Sequence, residues 1–163
     1  MGASEIVPSW LPDLILFKDF NGNWDVYLEA LYERFQRDFG GAGLEFQGRR
    51  VALKRHPIIK RKEATFWHFI SEGSAEMDRV PDFRRCERIG WPRAIIDNCA
   101  DATLKIWTEE VKNDARIQVW CEDAEYLFVL ADRNKFVLPW TAYPVVREHQ
   151  KRKLQNRWER CQK

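Results

Sequence analysis

LKIWTEEVKNDARIQVWCEDAEYLFVLADRNKFVLPWTAY, residues 104–143, decides the fold. Leu104 to Val111, Arg116 to Cys121, Tyr126 to Ala131 and Phe136 to Tyr143 are runs with the composition of strands. Turn signals at Asn113-Asp114, Glu122-Asp123 and Asp132-Arg133-Asn134 separate them. Strands joined by such short connections form an antiparallel meander. Pro139 within the last run has no N–H for a ladder, which predicts an edge position or a bulge.

On the C-terminal side, Val145 to Gln162 reads as a charged helix with Leu154 and Trp158 as its few apolar anchors, and residues 145–163 form a basic terminal element. On the N-terminal side, Pro81 opens a helix from Asp82 to Ile89, Gly90-Trp91-Pro92 breaks it, and Arg93 to Ala100 forms a second short helix. Ser71 to Asp78 is a polar loop. Ahead of it lies RRVALKRHPIIKRKEATFWHFI, Arg49 to Ile70, with seven basic residues before its only acid, Glu63, and two of the three histidines, His56 and His68. The apolar residues here recur at short period, which predicts a third strand over Ala64–Ile70 with Phe66, His68 and Ile70 on one face. Leu44-Glu45-Phe46, Gln47-Gly48 and Arg49 to Lys54 read as a β-hairpin with a glycine in its turn.

Tyr27, Leu28, Leu31, Tyr32 and Phe35 recur at three- and four-residue steps after Trp24, the pattern of an amphipathic helix. Asn21-Gly22-Asn23 supplies its turn and N-cap, and Gly40-Gly41 ends it. Residues 1–12, with Pro8 and Pro12 around Trp10, are expected to wrap over the surface. The expectation is one α+β domain over residues 1–163: an N-terminal helix and hairpin, a helical middle, a C-terminal antiparallel meander and a terminal basic helix.

Hydrophobic residues at 45% with eight tryptophans predict a folded core, and charged residues at 32% an ionic surface. No apolar run of about 18 residues exists, and no basic stretch precedes the apolar residues of the N-terminus, so a cytoplasmic protein without a membrane partner is expected. Cys86, Cys99, Cys121 and Cys161 make no C-x-x-C pair and are read as thiols rather than zinc ligands. No cofactor is expected. Charge is uneven: residues 49–62 hold seven basic and no acidic side chains, and residues 147–163 seven basic and two acidic ones, although the whole chain carries only +2. Such polarity steers an anionic polymer to one face.

Metal-free cleavage of an RNA phosphodiester needs a base for the ribose 2′-hydroxyl, an acid for the leaving 5′-oxygen and cations for the phosphorane. His56 and His68 are candidates for the acid and base, with Glu63, Glu87 or Tyr143 as proton carriers. Lys54, Arg55, Arg84, Arg85 and Arg88 are candidates for phosphate. The G-x-S-x-G and H-E-x-x-H motifs are absent, and Asp97, Asp101, Glu109 and Glu110 are spaced for a solvated surface rather than a two-metal site.

The series F-x-G-R-R-V (Phe46 to Val51), R-H-P (Arg55 to Pro57), E-A-T-F-W-H (Glu63 to His68), D-F-R-R-C-E-R-I-x-W-P-R (Asp82 to Arg93) and W-T-A-Y-P (Trp140 to Pro144) resembles a family of phage- and prophage-associated bacterial proteins. That family is similar to the superfamily grouping barnase, EndoU, colicin D and RelE toxins. The resemblance spans about Leu44 to Arg152. It implies a helical part packed on an antiparallel sheet and metal-independent RNA cleavage, with His68 or His56 as acid/base, Arg84 and Arg85 on phosphate, Thr141 orienting substrate and Tyr143 stacking or donating a proton. RelE-like toxins usually carry a Lys/Arg-rich last strand, whereas KFVLPWTAYP here holds one lysine. The leading expectation is therefore an endoribonuclease acting as a phage or toxin effector, with RNA and an immunity or antitoxin protein as partners. The alternatives are a non-catalytic nucleic-acid-binding module and a phage-associated protein-interaction protein.

Overall fold

In the computed structural model, which describes residues 7–163, Asn23 caps helix α1 (Trp24–Phe39) by accepting a hydrogen bond from the Val26 N–H at 3.2 Å. Tyr27, Leu28, Leu31, Phe35 and Phe39 form its buried stripe, and Gly40 closes it. Strands β1 (Glu45–Phe46) and β2 (Arg49–Val51) turn through Gln47 and Gly48, both at positive φ (50° and 80°), as a two-residue hairpin of matching twist requires.

Ala64–Ile70, read above as a strand, is instead helix α2. Six of its seven residues are buried, so the run carries no clean period and alternation alone misassigns it. Packing settles the matter, because the helix places Phe66, Phe69 and Ile70 together in the core, where Phe66 and Phe69 meet Phe35 at ring separations of 5.5 and 6.0 Å. Strands β3 (Ser71–Glu72) and β4 (Val80–Pro81) then pair across the loop, so Pro81 lies in a strand and Asp82 caps α3 (Phe83–Glu87). Helix α4 (Trp91–Asp97) begins at the Trp-Pro pair expected to separate two helices, since proline is tolerated in a first turn.

The meander follows as expected: β5 (Lys105–Val111), β6 (Asp114–Cys121), β7 (Tyr126–Asp132) and β8 (Phe136–Pro144) pair antiparallel in sequence. The hairpin extends the same sheet, because β2 lies parallel to β8 through Arg50↔Phe136 and Val51↔Val137. The six strands run β1-β2-β8-β7-β6-β5. Both readings of Pro139 apply. The ladder to β7 shifts register there, leaving Trp140 as the extra residue, and β2 pairs only with Phe136 and Val137, so the rest of β8 has a free edge.

Two apolar layers flank the sheet. On the inner face, Ile117, Val119, Phe128, Leu130 and Val137 pack under α1 to α4. On the outer face, Trp107, Trp120, Leu127 and Val129 meet Leu154 and Trp158 of α5 (Glu148–Cys161). The basic helix therefore docks, and Lys151 to Glu125 at 2.5 Å and Arg157 to Glu109 tie it down. Within the N-terminal segment, Trp10 donates to Asp101 at 2.8 Å and the Pro12 carbonyl accepts from Trp91 at 2.9 Å, so residues 7–12 lie across the surface. Residues 1–6 of that expectation fall outside the described residues. No helix among the described residues is long and apolar enough to cross a membrane.

Candidate functional site

The free edge of β8 is where several of the candidate side chains gather. The bulge turns Trp140 and Thr141 toward the outer face together, and Tyr143 follows on the same face, opposite Leu127. Helices α2 and α3 reach this edge from the other side. His68 Nδ1 lies 3.2 Å from the Trp140 carbonyl, Arg85 Nη1 donates to Thr141 Oγ1 at 3.3 Å, and the Arg85 guanidinium lies 5.1 Å from the Tyr143 ring centre. Positions 140, 141 and 143 are thus each engaged by a residue of the helical layer.

His68 is 6% exposed, and its Nε2 lies within hydrogen-bond distance of Glu76, 2.8 and 3.0 Å from the two carboxylate oxygens. Lys54 Nζ donates to Glu76 Oε1 at 2.9 Å. Burial pushes the His68 pKa down, the Glu76 carboxylate opposes this, and the Arg79 and Lys54 charges reinforce it. For Glu76, burial pushes the carboxyl up, but hydrogen bonds and charge from Lys54 and His68 outweigh it and hold the group below its ordinary value. The result is a carboxylate held ionised, gripped by an ammonium and flanked by the His68 imidazole.

The pH dependence of stability follows from these directions. A depressed imidazole pKa means that unfolding takes up a proton, so the stability it contributes is complete above the unfolded value, about 6.5, and is lost as pH falls below it. The depressed Glu76 pKa has the same sign at lower pH. The urea midpoint should fall as pH is lowered from about 7.5 to about 5.5. His68→Gln should flatten that fall; a variant with the wild-type slope would show that His68 titrates normally.

Arg85 is the second component. Its Nη1 donates to the Ser71 carbonyl at 2.8 Å, while Arg79 grips the same carbonyl through Nη2 at 2.6 Å and Ser71 Oγ through Nε at 3.0 Å. The carboxylates nearest Arg85, Asp82 and Glu72, lie at 3.4 and 3.9 Å. Its buried Nε makes no hydrogen bond but lies 3.4 Å from Asp82 Oδ2 in an ion pair. The neighbouring carboxylates approach the guanidinium without a bidentate pair, and its planar fork suits an anion.

The other sequence candidates fall elsewhere. His56 and Arg55 sit on the exposed loop, and no hydrogen bond or ion pair among the described residues joins His56 to the cluster. Arg84 is exposed on α3. Arg88 stacks on Trp91 at 5.1 Å and approaches Glu87 at 3.6 Å, so both face the N-terminal segment and α4, where the Glu87 carbonyl also accepts from the Ile15 N–H. Glu63 accepts from the Tyr32 hydroxyl at 2.6 Å. In the basic stretch, Arg49 pairs with Asp132 and Lys62, 6% exposed, with Glu29, so part of that charge is structural.

Glu76, Arg79, Trp140 and Arg116 are the residues the sequence reading missed. Glu76 and Arg79 lie in and after a segment whose composition signals only a polar loop, and long-range folding alone brings Glu76 to Lys54. Arg116 approaches the Trp140 ring to 4.1 Å through strand pairing that no local pattern encodes. Among the described residues, no three His, Cys, Asp or Glu side chains converge as a metal-holding group. Asp97 pairs with Arg93, Asp101 accepts from Trp10 and Thr103, and Glu109 pairs with Arg157. No protein-family model, curated protein or solved structure matches this chain.

Proposed function

We propose that the β8 edge is the site of a metal-independent endoribonuclease. The observation that carries this reading is that His68, which with Lys54 holds the Glu76 carboxylate, and the largely buried Arg85 guanidinium reach neighbouring positions of one strand, Trp140 and Thr141. Glu76 takes the proton of the ribose 2′-hydroxyl, and the 2′-oxygen attacks phosphorus. The P–O5′ bond breaks, leaving a 2′,3′-cyclic phosphate and a 5′-hydroxyl. Tyr143 protonates the departing oxygen and regains its proton through solvent. Arg85 neutralises the phosphorane, Thr141 orients the ribose phosphate, and His68 is a positioning residue for Glu76 rather than the group that meets substrate.

The test is incubation of purified protein with total RNA in excess EDTA, with the product ends identified. Fragments ending in 2′,3′-cyclic phosphate are expected. Intact RNA after incubation with protein shown to be folded would refute the nuclease. One observation favours a second reading: both ring nitrogens of His68 face protein acceptors, which suits a nucleic-acid-binding module that does not cut. Tight, salt-sensitive RNA binding without cleavage would establish that reading instead.

A further inference from the structure

Phe136 and Leu138 flank the inward-facing Val137, so they share the outer face of β8 with Trp140 and Tyr143. Every aromatic on that face of the strand carries a cation. Arg50 lies 5.3 Å from the Phe136 ring centre, Lys54 and Arg116 lie 5.2 and 4.1 Å from that of Trp140, and Arg85 lies 5.1 Å from that of Tyr143. These cations come from three separate segments, around residues 50–54, 85 and 116. Tyr143 also packs against the outer apolar cluster, but Phe136 and Trp140 are only partly buried and belong to neither cluster, and Arg50 is exposed, so core packing does not explain the cations on them. Asp114 fixes the Arg116 guanidinium through Nε at 2.9 Å and Nη2 at 2.6 Å, so it forms a rigid plane beside the indole.

We infer that this face is a base-stacking track that takes RNA as a single strand, with Trp140 and Arg116 as its main platform. The inference rests on the RNA reading of the site and extends it to the form of the substrate. Aromatic rings and arginine planes offer stacking surfaces to any base, and the adjacent cations track the phosphates. At roughly 3.3 Å per strand residue, Phe136 and Trp140 stand about 13 Å apart, and Trp140 and Tyr143 about 7 Å because the bulge takes up one residue. Successive bases of a duplex rise about 3.4 Å and hide their faces in the stack, so only a splayed single strand can present bases at those separations. Phosphates beside Trp140 would fall next to Lys54 and Arg85, at the proposed cleavage centre.

The test measures fluorescence anisotropy of a labelled, unstructured 2′-O-methyl oligonucleotide, alone and as a duplex, with wild type, Trp140→Ala and Trp140→Phe. The 2′-O-methyl group blocks cleavage, so binding is read independently of chemistry. Wild type should prefer the single strand, Trp140→Ala should weaken that binding about tenfold or more, and Trp140→Phe should restore most of it. Equal affinity for the duplex, no binding by wild type, unchanged affinity in Trp140→Ala, or equal losses in the Ala and Phe variants would each overturn the track. Cleavage of RNA alongside any of those results would leave the nuclease standing and remove only the track. Trp140-dependent binding by a protein that does not cleave would do the reverse.

Discussion

Arg85→Ala is expected to slow RNA cleavage by about 10²–10³-fold, the cost of removing one preorganised donor aimed at developing charge. The guanidinium is held by the Ser71 carbonyl and Thr141 and lies over the Tyr143 ring, with the Asp82 carboxylate 3.4 Å from its Nε. Because the same side chain ties α3 to β3, loss of activity in Arg85→Ala must be read beside its melting curve. Arg85→Lys separates the two effects. Lysine keeps the charge and reaches the Ser71 carbonyl, but it lacks the planar fork, so it should fold and still lose most of the rate. A lysine variant with wild-type turnover would show that charge alone suffices and that the planar guanidinium fork has no catalytic part.

Phe66→Ala is expected to cost about 3–5 kcal/mol of stability, the range for deleting a fully buried aromatic. Phe66 is 0% exposed, and its ring lies 5.1 Å from Tyr32 and 5.5 Å from Phe35. The neighbouring Trp67 is only half-buried, with its indole N–H donating to the Ile59 carbonyl at 3.0 Å, so Trp67→Ala should cost clearly less. The pair tests the helical register of α2 directly. In the helix, Phe66, Phe69 and Ile70 form one inward cluster, whereas a strand would have set Phe69 on the opposite face with Trp67. Urea denaturation of the two variants decides: equal losses would contradict this placement of α2.

The meander, the first helix with its Asn23 cap and the hairpin were legible because their signals are local: turn chemistry, a three-to-four-residue stripe and a glycine at positive φ. The bulge at Pro139 was legible too, because a missing N–H has the same consequence in any sheet. Residues 64–70 were not, since burial on nearly every side erases periodicity and leaves the choice to Phe35, Phe39 and Phe128. The site divides in the same way. His68, Arg85 and Tyr143 were picked by residue type and Thr141 through the resemblance at W-T-A-Y-P, and the four share one strand edge. His56 and Arg84 had the same chemistry in the sequence but remain on exposed segments. Glu76 was hidden because its importance lies in reaching His68 and Lys54, eight and 22 positions away, a proximity created by the loop between β3 and β4.

The most direct test is single-turnover cleavage, in excess EDTA, of a DNA oligonucleotide carrying one ribonucleotide, with wild type beside Glu76→Gln. Glutamine keeps the shape of the side chain and an acceptor for Lys54 but takes no proton. Wild type should cut once, 3′ to the ribose, leaving a 2′,3′-cyclic phosphate, and Glu76→Gln should be slower by about 10²–10⁴-fold. Equal rates for the two proteins, or cutting at deoxyribose positions, would contradict a carboxylate-driven 2′-hydroxyl attack at the β8 edge.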